Sequence, residues 1–340
     1  MDPLSHIVVG RALIAAVGDE TRPAVRGAGA AAILGALSPD VDGLLIPFGW
    51  DIYLRGHEIG THSIAGALVV GAASGALVAG ILSLRLRRRP LWPSLAALIV
   101  AGIAGSLSHI VLDLLCGARI RIGWPMVDAR VTFPLIAMAD PWFVAPCAVA
   151  LVGVIAANYR LRGPQRAAPH RSIARGLLTA IVALLCIKGV MLQQAVYSAP
   201  TRFVSLSALD ARFGSLTEWY GYEHLTGVLR AWRLNGRTRM AMVTMSQPIV
   251  ADTPLVGASR SLDTVRNFIR THEFGFPQER TEGDQTTVVW SDLSYCWPKS
   301  ASNQVAGCAL WFGGVFGPDG RALRQQVQVG GWVRTRPISP

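Results

Sequence analysis

Residues 63–84 carry no charged side chain, and alanine, glycine and aliphatic residues fill almost every position. A helix of that length, apolar all round, needs apolar surroundings on every side, and a bilayer supplies them. Comparable runs occupy residues 27–48, 94–116, 141–159 and 176–197, with a shorter one at 7–17. Hydrophobic residues make up 51% of the chain and charged residues 16%, a balance that suits an integral membrane protein better than a soluble enzyme. We therefore expect a mainly α-helical, polytopic membrane domain over residues 1–198. Because 7–17 is short for a full span, it is expected to tilt or to lie at the interface.

The formal net charge of +11 would suit a nucleic-acid binder, but the arginines crowd into the loops between apolar runs. Arg85, Arg87, Arg88 and Arg89 follow one run, and a basic segment at 160–175 follows another. Short basic loops of this kind mark the cytoplasmic side, so the charge reports topology and nucleic acid is not expected as a partner. On that assignment the N-terminus, the 48–62 and 117–132 loops and everything after residue 197 lie on the opposite side. Arg119, Arg121 and Arg130 in the 117–132 loop run against the pattern.

From residue 199 the pattern becomes that of a soluble α+β domain, an antiparallel sheet with one helix, expected over 199–340. Residues 227–234 and 239–247 are β-prone and flank Asn235-Gly236, a hairpin turn signal. Further strands are expected at 285–293, 308–316 and 323–333. Residues 261–272 place Leu262, Val265, Phe268 and Ile269 on one helical face. Cys296 and Cys308 fall in this domain and can pair if it lies outside the cytoplasm; His224 and His272 read as surface or packing residues. Cys116, Cys147 and Cys186, in or beside apolar runs, read as small hydrophobes.

Against this apolar background a few polar residues stand out. His57 and His62 precede the run at 63–84, and on one continuous helix they would sit about 140° apart. They converge if His57 lies on a loop and His62 in the first turn of the following helix, with Thr61 or Ser63 as its N-cap. Asp40 and Asp42 lie within the run at 27–48, where charge is expensive and generally faces a partner or a cavity. His109 and Asp113, four apart, share a helical face, and His6 opens the first apolar segment. All of these fall toward the same, non-cytoplasmic end, an agreement that the charge rule could not have supplied.

Imidazole and carboxylate ligands gathered this way suit a divalent metal, zinc or manganese, as one ion or two. The chemistry that follows is metal-assisted hydrolysis of an ester, amide or phosphoester. His6, His57, His62 and His109 are the expected ligands. Asp40, Asp42 and Asp113 are ligands, bases or orienting partners, and Glu58 is a candidate acid or base beside the catalytic candidates Asp40 and Asp113. At the interface, membrane lipids or a lipid-linked substrate become the expected partners.

Pro3-Leu4-Ser5-His6 with Gly10, Leu37-Ser38-Pro39-Asp40-Val41-Asp42, His57 through Thr61-His62-Ser63, and Ser108-His109 through Asp113 resemble the YdjM-type family, described as LexA-regulated, inner-membrane-associated metal-dependent hydrolases. Trp124-Pro125 and Asp140-Pro141 also resemble family features. The resemblance spans roughly residues 1–200 and implies an inner-membrane location. It also implies His6, Asp40, Asp42, His57, His62, His109 and Asp113 as the ligand set. Where the family commonly has Arg-Gly after its first histidine, this chain has Glu58-Ile59, with Gly60 one place later. Two non-enzymatic readings use the same features: a membrane metal-binding or transport protein, and an anchor for a C-terminal binding domain.

Overall fold

Asp2 starts the first helix by accepting a hydrogen bond from the Ser5 amide at 2.9 Å, and Pro3 supplies the φ that a first helical turn needs. The structure, a computed structural model, describes residues 1–18, 26–49, 52–53, 57, 60–86, 92–197, 199, 206–249, 252–299 and 302–338. The chain divides into two compact units. One comprises Met1–Leu44, Gly56–Gln194 and Asp210–Glu218; the other comprises Leu45–Arg55, Ala195–Leu209 and Trp219–Pro340.

The first unit is helical: α1 (Pro3–Val17), α2 (Ala28–Leu37), α3 (Ile64–Leu86), α4 (Trp92–Leu115), α5 (Pro141–Arg160) and α6 (Ala167–Tyr197). Five segments among the described residues are long and apolar enough to cross a membrane: Ala28–Phe48, Ile64–Arg85, Ser94–Leu115, Pro141–Arg160 and Ala167–Tyr197. The first of these is not one α-helix. At Ser38 it tightens into a 3-10 stretch, Ser38–Phe48, because Pro39 offers no amide hydrogen and disfavours helical geometry in the residue before it.

Glycine sets how closely α2, α3 and α4 pack. A β-carbon on Gly35 would stand 2.0 Å from the carbonyl oxygen of Gly102, one on Gly102 would stand 2.2 Å from that of Gly71, and one on Gly105 would stand 2.1 Å from that of Ala32. Backbone thus rests on backbone, the arrangement small residues permit between membrane helices. Gly10 brings α1 in likewise, against Ala32 and Ala36.

The segment after α4 folds back over its end. The Phe133 amide donates to Leu114, the Leu135 and Ile136 amides donate to Leu115, and the Ile64 amide at the head of α3 donates to Ile122. Asp140 then caps α5 by accepting from the Trp142 amide, and its other oxygen lies 2.5 Å from Lys188 Nζ of α6, both side chains fully buried.

The second unit carries most of the sheet. One sheet has the order β1 (Leu209–Ala211), β2 (Glu218–Leu225), β3 (Val228–Asn235), β4 (Met240–Pro248). The larger one runs β11 (Trp332–Pro337), β10 (Ala322–Val329), β9 (Leu310–Phe316), β6 (Gln285–Asp292), β5 (Gly275–Glu282), all pairings antiparallel. Two helices cover it, α7 (Pro254–Ser259) and α8 (Asp263–Thr271). Val256, Leu262, Val265 and Phe268 pack against Val288, Trp290, Phe312 and Phe316.

The expected single strand at 323–333 is two, because Gly330, at φ +59°, turns the chain into a hairpin. The single helix expected is also two, the extra turn starting at Thr253, whose hydroxyl accepts from the Val256 amide. Cys296 and Cys308 form a disulfide across the β7 (Cys296–Lys299) and β8 (Ser302–Cys308) pair. His272 stacks on Phe268 and His224 is exposed, the packing and surface roles expected of them.

Candidate metal centre

Five short segments of the helical unit supply the candidate ligands. His6 lies one turn before Gly10 on the same face of α1, so the close contact at Gly10 carries the imidazole inward. Asp40 and Asp42 sit on the 3-10 stretch, where residues two apart point about 120° apart, so they approach the site from different directions. His57 is on a loop. His62 stands just ahead of α3, whose N-cap is Ser63: its hydroxyl accepts from the Gly66 amide at 3.0 Å. His62 therefore precedes the helix instead of lying in its first turn. His109 and Asp113 share a face of α4 with Gly105, and their side chains meet at 3.0 Å.

These residues form two adjoining groups. Asp40, His62, His109 and Asp113 each offer a ligand atom, all four within 4.8 Å of one another; Asp42, His57 and His62 form a second such group. In the first group, His62 Nε2 lies 3.4 Å from Asp40 Oδ1 and 3.7 Å from Asp113 Oδ2. His109 Nε2 lies 3.5 Å and 3.0 Å from the same two oxygens. Ligand atoms placed about 2.0–2.1 Å from a tetrahedral zinc ion would lie about 3.4 Å from each other. The observed separations bracket that value.

Burial sharpens the point. His6 and His109 are fully buried and His62 is 1% exposed, yet Nε2 of all three has no partner in hydrogen-bonding geometry. Buried polar atoms without partners are costly and call for an explanation such as an ion. For His109 the tautomer is fixed. Its Nδ1 lies 2.6 Å from the carbonyl oxygen of Ala36, at the C-terminal end of α2, where carbonyls lack intrahelical partners. A carbonyl only accepts, so Nδ1 carries the hydrogen, and in the neutral ring Nε2 presents a lone pair to the two carboxylates. Lone pair facing anion is repulsive unless a proton or a metal cation stands between them, and the residues present fit a divalent metal.

His6 is outside the four-residue group but touches it. Its ring stacks on His109, and its Nε2 lies 3.2 Å from Asp113 Oδ1, which also contacts the Met1 amino group at 2.5 Å. On the other side, His57 Nδ1 lies 2.9 Å from Asp42 Oδ2, and that oxygen is 3.7 Å from His62 Nδ1. Asp40, with its side chain 42% exposed, is the most open member. Glu58 lies outside the described residues. Thr61, a possible cap by sequence, instead places its hydroxyl 3.2 Å from His62 Nδ1. Nothing in the sequence pairs Lys188 with Asp140, although a lysine inside an apolar run is a visible signal.

No curated protein and no solved structure matches the chain. Residues 1–195, the helical part that carries every one of these ligands, match the family model described as YdjM inner membrane protein. With five candidate spans over the same residues, this is a multi-pass membrane protein that belongs to the YdjM inner membrane protein family.

Proposed function

We propose that the protein is a membrane-bound metal-dependent hydrolase whose cation is held by Asp40, His62, His109 and Asp113. The observation that carries this reading is the His109 ring: Nδ1 is committed to the Ala36 carbonyl, and Nε2 is buried and aimed at two carboxylates. Two nitrogens and two oxygens suit zinc or manganese. Bound there, a divalent cation supplies Lewis acidity to a carbonyl or phosphoryl oxygen and acidifies water.

The protein's own residues do the rest. Ala36 holds His109 in the ligating tautomer, as outer hydrogen-bond partners of metal-binding histidines commonly do. Asp40, the most exposed carboxylate of the group, is suited to take a proton and to meet the substrate. Val41 and Leu44, both exposed beside it, give an apolar flank suited to an acyl or prenyl tail. The substrate class is thus an ester or phosphoester of a lipid or lipid-linked molecule.

The arginine-rich loops support an orientation with the site at the non-cytoplasmic interface and the sheet-rich unit outside the cytoplasm. The disulfide between Cys296 and Cys308 supports that side, since cytosolic thiols stay reduced.

Elemental analysis of detergent-purified wild type beside His62→Ala and His109→Ala tests the reading, paired with hydrolysis assays on ester and phosphoester lipids. Bound transition metal lost in both variants together with activity is the expected result. Wild-type protein that holds no metal after reconstitution would sink it.

A further inference from the structure

We propose that His62 bridges two divalent cations, one in the group of Asp40, His109 and Asp113 and a second in the pocket formed with Asp42 and His57. This rests on the metal-centre reading above and adds a second ion to it. The two ring nitrogens of His62 face different sets of donors. Nε2 looks to Asp40 Oδ1 and Asp113 Oδ2 at 3.4 Å and 3.7 Å; Nδ1 looks to Asp42 Oδ2 at 3.7 Å and to the Thr61 hydroxyl at 3.2 Å. Asp42, His57 and His62 supply three ligand atoms within 4.8 Å of one another, the number a catalytic site with an open position requires.

A second observation concerns Asp42 of that group. The Asp42 side chain is 9% exposed, and its Oδ1 is buried with no hydrogen-bond partner, although Oδ2 is engaged by His57. A carboxylate that served only to orient a histidine would need one oxygen; here the second, buried oxygen can serve a cation.

Two cations on one ring need both nitrogen lone pairs, so the ring N–H proton leaves to solvent as the second ion binds.

The alternative is that Asp42 and His57 merely hold His62 in place around a single ion. Full-length protein in detergent, stripped by chelation, separates the two when titrated with Zn²⁺ and counted by elemental analysis after gel filtration. Two zinc ions per chain are expected in the wild type and one in Asp42→Asn and His57→Gln. A parallel titration with Cu²⁺ needs no variant. At two equivalents, electron paramagnetic resonance of the wild type should show spin coupling through the ring, with one extra proton released for the second ion. One zinc per chain in the wild type, or two that persist in both variants, or two uncoupled Cu²⁺ ions, overturns the bridge and leaves the metal centre standing. No bound metal at all overturns both.

Discussion

The imidazole of His6 lies face to face with that of His109, ring centroids 3.8 Å apart and planes 16° from parallel. His6 Nε2 also reaches Asp113 Oδ1 at 3.2 Å, so it touches one ligand by stacking and another by its nitrogen. A residue that supports ligands from behind should tune affinity without abolishing binding. His6→Ala is expected to weaken the cation by about 10–100-fold, the usual cost of losing an outer partner. His109→Ala should lose the four-residue site outright. A competition titration against a chromophoric chelator measures both, and equal losses in the two variants would make His6 a ligand of the same rank.

The cation also links the helices that hold it, so it should appear in stability. At a free concentration of a hundred times its Kd, a ligand specific for the folded state contributes about 2.7 kcal/mol. Chelation of the wild type is expected to lower Tm by the corresponding amount, and His109→Ala should show the lower Tm already and respond little. Thermal unfolding in detergent with and without chelator checks this; an unchanged wild-type Tm would contradict it.

Glycine substitutions should divide sharply by position. At Gly35, alanine would put its β-carbon 2.0 Å from the Gly102 carbonyl oxygen, and backbone has no rotamer with which to yield. Gly35→Ala is expected to cost about 1–3 kcal/mol or more, as overpacking does, and to lower cation retention along with Tm. At Gly80 nothing lies within 4 Å of the added carbon. Gly80→Ala should be neutral or gain up to about 1 kcal/mol from helix propensity. Melting the pair side by side gives the comparison.

Lys188 and Asp140 form an ion pair with no exposed surface. Removing one partner leaves a buried charge alone, which typically costs about 3–5 kcal/mol. Lys188→Met is expected to destabilise strongly, and Lys188→Met with Asp140→Asn should recover most of the loss, because asparagine still accepts from the Trp142 amide. A double-mutant cycle by thermal unfolding measures the coupling; additive effects would show that the pair does not act as a unit.

What the sequence made legible follows the range of the physics. Apolar run length marks membrane helices residue by residue, so five segments were readable, and the i,i+4 spacing of His109 and Asp113 placed both on one face, as found. Ser63 could be named as one of two possible caps because capping is local. Long-range facts were not readable in the same way. Nothing near Gly35 announces that it meets Gly102, and Lys188 lies 48 residues from the carboxylate that pairs with it. The tautomer of His109 depends on a carbonyl 73 residues earlier, exposed only because α2 ends there. In the sheet-rich unit, the strand expected at 323–333 is a hairpin, since Gly330-Gly331 forms its turn instead of continuing the strand.

The glycine contacts between α2, α3 and α4 have a bearing on how reproducible the site can be. Where side chains separate two helices, each rotamer change shifts the axes by a fraction of an ångström, and lipid or temperature can redistribute the rotamers. Here main chain meets main chain at Gly35, Gly71, Gly102 and Gly105, and its bond lengths and angles hardly vary. Asp40, just past the end of α2, and His109 on α4 are therefore gauged against each other as by a fixed shim. A change in bilayer thickness can tilt the three helices together, but it has little purchase on the gap between them.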